Sequence, residues 1–167
     1  MTDAGDIFLR QATPGDGTAV AAIYRPIVEQ TAISFEEVPP SADDMAGRIA
    51  QVLEHYPYLV AAQNDRVIGY AYPAQHMERA AYRWSVNVSA YVAEGFRGAG
   101  VGRRLYEALF ETLAERGFHM AMAGITLPNE ASVKLHEGMG FRPVGVYREV
   151  GFKFGRWHDV GWWQRRI

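Results

Sequence analysis

Cysteine is absent from all 167 residues, which excludes disulfides, thiolate nucleophiles and cysteine-ligated metal together. No apolar run approaches the ~20 residues needed to span a bilayer, so no membrane partner is expected. Basic residues are not in excess: 17 Lys and Arg against 19 Asp and Glu leave a net charge of −2. Affinity for a phosphate backbone needs a basic surface. Arg103-Arg104 and Arg165-Arg166 are only pairs and read as solvated surface, so no nucleic acid is expected either. The opening stretch MTDAGDIFLR has neither a basic nor an apolar leader region. It predicts no secretory signal and a cytoplasmic location. The five histidines (His55, His76, His119, His136, His158) have no spacing that suits a metal, and none is expected.

What is present reads as globular. Hydrophobic residues make up 49% and charged residues 22%, enough apolar mass to form a real core. No repeat, low-complexity segment or linker divides the chain, whose length suits one domain over residues 1–167. Three of the four tryptophans fall in the last eleven residues, and Trp157 and Trp162 read as core or dimer contact.

Pattern and punctuation predict the elements. Ile7–Ala12 reads as a short strand, and Thr13-Pro14-Gly15-Asp16 as a helix start with an N-cap, a first-turn proline and an acid. Ala19–Gln30 has helical spacing at Val20, Ile23, Ile27 and Val28. Ile33–Phe35 reads as extended, and Ser41 as the cap of a helix over Ala42–His55. Tyr58–Gln63 and Val67–Pro73 flank a hairpin turn at Asn64-Asp65-Arg66. Tyr82–Val92 alternates as a strand, with Trp84, Val86, Val88, Ala90 and Val92 on one face. A helix over Val101–Arg116, a strand over His119–Leu127, a helix over Glu130–Gly138 and a stranded tail over Phe141–Gln164 complete the reading. Strand, helix and strand around residue 100 imply one parallel pair in a mostly antiparallel α+β sheet.

Between the strand and the helix lies Phe96-Arg97-Gly98-Ala99-Gly100-Val101-Gly102-Arg103-Arg104-Leu105. Glycine inside an element costs roughly 0.5–1 kcal/mol relative to alanine, so three in five positions ask for a reason. A glycine loop that opens a helix presents free N–H groups at the positive end of the dipole, a site for phosphate or pyrophosphate. A P-loop would need Lys-Ser or Lys-Thr after the last glycine, and Arg103-Arg104 is not that. A dinucleotide loop would need Gly-x-Gly-x-x-Gly and an acid about 20 residues on, and neither is here. From the loop alone, a turn required only for packing remains open beside an anion site.

Arg97-Gly98-Ala99-Gly100-Val101-Gly102 resembles the Arg/Gln-x-x-Gly-x-Gly pyrophosphate loop of the GNAT N-acetyltransferases. Asn129-Glu130-Ala131-Ser132 and Gly138-Met139-Gly140-Phe141 are similar to two further stretches of that superfamily. Tyr82-Arg83-Trp84-Ser85-Val86, Leu135-His136-Glu137, Gly155-Arg156-Trp157-His158-Asp159-Val160-Gly161, Ser34-Phe35 and Tyr58–Ala61 resemble its phosphinothricin and methionine-sulfoximine acetyltransferase group. The likeness is collinear over nearly the whole chain.

The resemblance implies a GNAT fold whose parallel pair splays at the acetyl-coenzyme A site. It implies transfer of acetyl from acetyl-coenzyme A, as co-substrate, to the primary amine of a small amino-acid analogue, in resistance to or clearance of toxic analogues. It places the coenzyme on Gly98, Ala99, Gly100, Val101, Gly102 and Arg103, with Arg97, Asn129 and Ser132, and on backbone N–H groups around Ala90, Tyr91 and Val92. It places the amine substrate near Phe35, Arg79, Tyr82 and Asn87, with Arg79 for a carboxylate, and it implies a homodimer. Asn87 departs from the pattern, because close relatives carry a glutamate there, and an amide has no titratable group to take a proton. Asn87 is expected to orient the amine or a relay water. His136 stands where many GNAT enzymes carry a tyrosine acid and is the candidate for proton transfer, while His76 and His158 are weaker candidates. An acetyltransferase for another small amine and a non-catalytic acyl-coenzyme A module are the alternatives.

Overall fold

Strand β1 (Phe8–Gln11) runs into a 3-10 turn (Pro14–Asp16) that leads directly into helix α1 (Gly17–Gln30). The buried Asp16 explains the join. Its carboxylate accepts from the Thr13 N–H at 2.8 Å and binds the Arg10 guanidinium at 2.7 and 2.8 Å. Arg10 holds that carboxyl below its ordinary range. Thr13-Pro14 therefore opens a 3-10 turn rather than the helix itself. Helix α2 (Ala42–Leu53) starts at Ser41, whose Oγ accepts from the Asp44 N–H at 3.1 Å. The chain is known here from a computed structural model that describes residues 5–167. The first four residues of the stretch read as leaderless lie outside those described.

Strands β2 (Leu59–Gln63) and β3 (Arg66–Gln75) form the expected hairpin, with Asn64 and Asp65 both at positive φ. After β4 (Ser85–Val92), helix α3 (Val101–Glu115) crosses over to β5 (Met120–Leu127). Helix α4 (Glu130–Gly138) and the long hairpin of β6 (Arg142–Lys153) and β7 (Arg156–Arg166) close the chain. The seven strands lie in the order β1-β2-β3-β4-β5-β7-β6. Every pairing is antiparallel except β4 with β5, as the α3 crossover requires.

Two apolar layers hold the sheet. On one face Leu105, Leu109 and Leu113 of α3 pack on Ile68, Val86, Ala121 and Ala123, joined by Met139 and Trp163. On the other, Val20, Ile27 and Val28 of α1 and Met45 and Ile49 of α2 cover Val60 and Tyr70.

Two expectations need correcting. The strand expected over Tyr82–Val92 begins only at Ser85, because Tyr82 and Arg83 donate their N–H groups to Arg79 and Ala80 in a 3-10 turn. Trp84 is accordingly 47% exposed rather than continuing the face of Val86 and Val88. Ile33 and Ser34 lie in a bend that starts at Ala32, and Ile33–Phe35 forms no strand. The Ser34 hydroxyl bonds the Tyr24 hydroxyl at 2.6 Å and accepts the Glu36 N–H at 3.1 Å, which curls the segment.

Lys153, 4% exposed, ties that bend to the far hairpin. Its ammonium donates to the carbonyls of Val28 and Ser34, each at 2.7 Å, satisfying one of the free carbonyls at the end of α1. Burial lowers its pKa. Lys153→Met keeps the bulk but strands both carbonyls. A loss of about 2–3 kcal/mol is expected, since each buried unpaired acceptor costs roughly 1–3. Thermal melting should show it as a fall in Tm on the order of 5–10 °C.

Candidate active site

The parallel pair does not stay paired. Ser85, Val86 and Asn87 are in register with Met120, Ala121 and Met122, and there the ladder stops. Both strands run on, to Val92 and Leu127, and a narrow slot of about 60 Å³ opens between them. Along β4 the slot is lined by Val88, Ser89, Ala90 and Tyr91, and along β5 by Ala123 to Thr126. Ile33 borders it too, as do Tyr106 and His136.

Strand pairing decides which amides face the slot. Ala93 donates its N–H to Ile68 on β3 at 2.8 Å, and Tyr91 stands opposite Tyr70 in the same ladder. By two-residue alternation, Tyr91 and Ala93 bond β3, while the amides of Val88, Ala90 and Val92 turn towards the slot. Of Ala90, Tyr91 and Val92, then, the first and third offer main-chain donors there.

At the end of β4 the chain turns through Gly95, Gly98 and Gly100, all at positive φ, before α3 begins at Val101. Gly100 takes the N-cap position in the left-handed region and provides no side-chain acceptor for the first helical N–H groups. A Cβ at Gly102 would meet Leu135 and Val92 only at 3.5 and 3.7 Å, ordinary contact distances. Packing therefore does not demand glycine at 102. Around the loop, the Arg97 guanidinium bonds the Val92 carbonyl at 3.3 Å, and the exposed Arg103 pairs with Glu107 at 2.9 Å.

Across the slot, Asn129 caps α4 by accepting the Ser132 N–H at 3.1 Å. His136, one turn on, is 6% exposed. Its Nδ1–H donates to the Ser132 carbonyl at 2.7 Å, which leaves Nε2 to accept from the Tyr106 hydroxyl at 3.1 Å. Burial lowers the His136 pKa, so the ring is neutral at neutral pH. Burial raises that of Tyr106, so the phenol keeps its proton. The sequence reading missed Tyr106, which lies on the apolar stripe of α3 one residue after Leu105; that stripe was the only signal.

Asn87, at the last paired position, faces a second space of about 630 Å³ next to the slot. His76, Met77, Met122, Val144 to Tyr147, Trp162 and Gln164 complete its lining. The His76 ring Nδ1 lies 2.8 Å from Asn87 Oδ1. Tyr82, 44% exposed, sets its ring against His76 with centroids 5.8 Å apart. Trp162, read as core or dimer contact, is part of this wall, and its ring crosses β5 where a Cβ on Gly124 would come within 3.0 Å of it. Arg79 is exposed at the cap of the 3-10 turn and does not line this space. Phe35, 40% exposed, rests on Gly151 beside His158 and is apart from Asn87. His158 is buried, bonded to the Lys153 carbonyl at 2.9 Å.

The profile of the acetyltransferase (GNAT) domain family matches residues 9–162. A phosphinothricin N-acetyltransferase of Streptomyces coelicolor is 37% identical, with all of both chains covered. An L-methionine sulfoximine/L-methionine sulfone acetyltransferase of Salmonella typhimurium is 34% identical over 95% of this chain and 94% of its own. Among solved structures, a phosphinothricin acetyltransferase from Sinorhizobium meliloti in complex with acetyl-coenzyme A superposes with a TM-score of 0.92. It is 36% identical, over 96% of this chain and 88% of that one.

Proposed function

The chain belongs to the GNAT acetyltransferases, and from that membership we propose that it acetylates the primary amine of a small amino-acid analogue such as phosphinothricin or methionine sulfoximine. The observation that carries the proposal is the break in the β4–β5 ladder after Asn87, with an uncapped helix start beside it. The residues fit acetyl-coenzyme A: a slot lined by small side chains, main-chain donors facing it, and a glycine at 102 that packing does not require.

Gly98 to Arg103 would hold the pyrophosphate on backbone N–H groups at the positive end of α3, with Arg97 and Arg103 alongside. Asn129 and Ser132 border the slot for the pantetheine arm. When bound, the coenzyme supplies an acetyl group activated as a thioester. The amides of Ala90 and Val92 are fixed donors for the carbonyl oxygen, and one such donor contributes on the order of 3–4 kcal/mol where charge develops. The Tyr106 hydroxyl, hydrogen-bonded to neutral His136, holds a proton at the edge of the slot, available to a departing sulfur. Asn87 stands on the amine side with Tyr82 behind His76, while Arg79 and Phe35 do not line that space.

Exposed Val144, Val146, Tyr147, Val150, Phe152 and Trp157 on the last hairpin support a homodimer in which a second copy covers this face. Dependence on acetyl-coenzyme A supports the cytoplasm as the place of work. No described helix is long and apolar enough to cross a membrane.

Thiol release from acetyl-coenzyme A, measured over a panel of amino acids and analogues, tests the reading. Release with phosphinothricin or methionine sulfoximine well above that with common amino acids is the expected result. Tight acetyl-coenzyme A binding with no release for any amine would overturn it.

A further inference from the structure

An alkylammonium ion must give up two protons to become an amide N–H, one before the C–N bond forms and one after. The second ends on the thiol released as the C–S bond breaks. Nothing is oxidised or reduced. The first needs an acceptor on the amine side, and Asn87 has no titratable group.

We propose that His76 is that acceptor, its imidazole held by Asn87 with the free ring nitrogen ready to take the proton. The inference rests on the acetyltransferase reading above and adds the base to it. The 2.8 Å contact to Asn87 Oδ1 places the ring hydrogen on His76 Nδ1, because a carbonyl oxygen only accepts. Nε2 is then left with its lone pair. The ring is half-buried, backed edge-on by Tyr82, and lines the same space as Asn87. That space lies on the sheet face on which Ser89 and Gly124 line the slot, each two residues on from Asn87 and Met122 along its strand.

No other group lining the space competes. Met77, Met122, Trp162 and Gln164 carry no titratable proton in the accessible range, and Val144 to Val146 are apolar or glycine. Tyr147 on β6 and Tyr82 on the 3-10 turn offer phenol hydroxyls, which already carry a hydrogen to donate, where the His76 Nε2 has only a lone pair. Glu78 and Arg79, on the segment leading from His76, are exposed and do not line it. Asn87 is thus a positioning residue and His76 a catalytic one. An amide in place of a carboxylate at 87 removes one base, and the same amide fixes the tautomer of another.

His76→Gln is the direct test, with phosphinothricin and L-methionine sulfoximine as the amines. At pH 7 kcat/KM is expected to fall about 100-fold, within the usual range for a lost general base, while acetyl-coenzyme A affinity by calorimetry stays unchanged. The parent's acid limb in kcat/KM should vanish, leaving only the ionisation of the amine itself, so that the two enzymes converge at alkaline pH. A readout independent of turnover is nitrogen NMR of the imidazoles in the free protein. His76 should show a protonated Nδ1 and a bare Nε2, and Asn87→Ala should scramble that tautomer. An active parent whose pH profile is unaltered by His76→Gln overturns the assignment of the base alone. A parent that binds acetyl-coenzyme A yet acetylates neither amine removes the acetyltransferase reading and this one with it.

Discussion

Gly100→Glu is expected to weaken acetyl-coenzyme A binding about a thousandfold while the chain stays folded. The position has φ +79°, and nothing lies within 4 Å of where its Cβ would be. The folded protein therefore meets backbone strain but no clash. Holding an L-residue in the left-handed region costs about 1–2 kcal/mol, against a typical total stability of 5–15. The ligand meets something larger. A carboxylate about 4 Å from a phosphate charge, at the effective dielectric of a protein surface, is unfavourable by about 4 kcal/mol. It would also sit at the positive end of α3 and bond the very amides that the pyrophosphate needs. Gly100→Ala carries the same strain without the charge and should lose less than tenfold. Calorimetric titration of both variants, with circular dichroism to check the fold, separates strain from charge. Equal affinities in Gly100→Glu and the parent would show that the loop does not hold the coenzyme.

Cooperative unfolding above pH 10 is the second large effect. Tyr24, Tyr58, Tyr70 and Tyr106 are each no more than 7% exposed, and burial pushes every one of their phenols above its ordinary pKa. Tyr58 stacks on Tyr72 at 4.9 Å, and Tyr24 meets Tyr91 edge-on at 5.2 Å, so the rings lie in shared apolar surroundings. In the unfolded chain these phenols ionise near pH 10. Their folded-state values are raised, so the stability they protect is intact below pH 10 and falls as pH rises beyond it. Each contributes a slope of about 1.4 kcal/mol per pH unit, and four together about 5. A domain of ordinary stability then unfolds within about three pH units. Lys153 acts in the opposite sense. Its folded pKa is lowered, so it adds stability as pH climbs towards the unfolded lysine value near 10.4. One such group does not offset four. Tyrosinate absorbance and far-ultraviolet circular dichroism should change together over that range. Gradual tyrosine ionisation with the fold intact would contradict the account.

Local chemistry explains which features were legible in the sequence. The Asn64-Asp65 turn, the Ser41 cap and helix α4 from Asn129 each rest on interactions within a few residues, and each was placed from residue type alone. The parallel pair followed from chain order, since a strand, a helix and a strand leave little choice of direction. The start of β4 was not legible, because alternation continues through Tyr82 and Trp84 while the backbone bonds there close a 3-10 turn. The bend at Ser34 depends on a hydroxyl ten residues back in α1, and no window of local pattern contains both.

The same division runs through the site. Residue order alone specified the glycine loop, the helix after Asn129 and an amide at 87, because each is a property of residue type at a position. It also determined the family, through many short stretches in one order. Packing of distant elements set the rest: Tyr91 turns its amide to β3 while Ala90 and Val92 face the slot, Tyr106 shares its proton with His136, and His76 meets Asn87. Those outcomes depend on strand register and on which faces two distant elements present to each other. They are settled by how the sheet buries its apolar surface, and composition and spacing along the chain do not encode them one residue at a time.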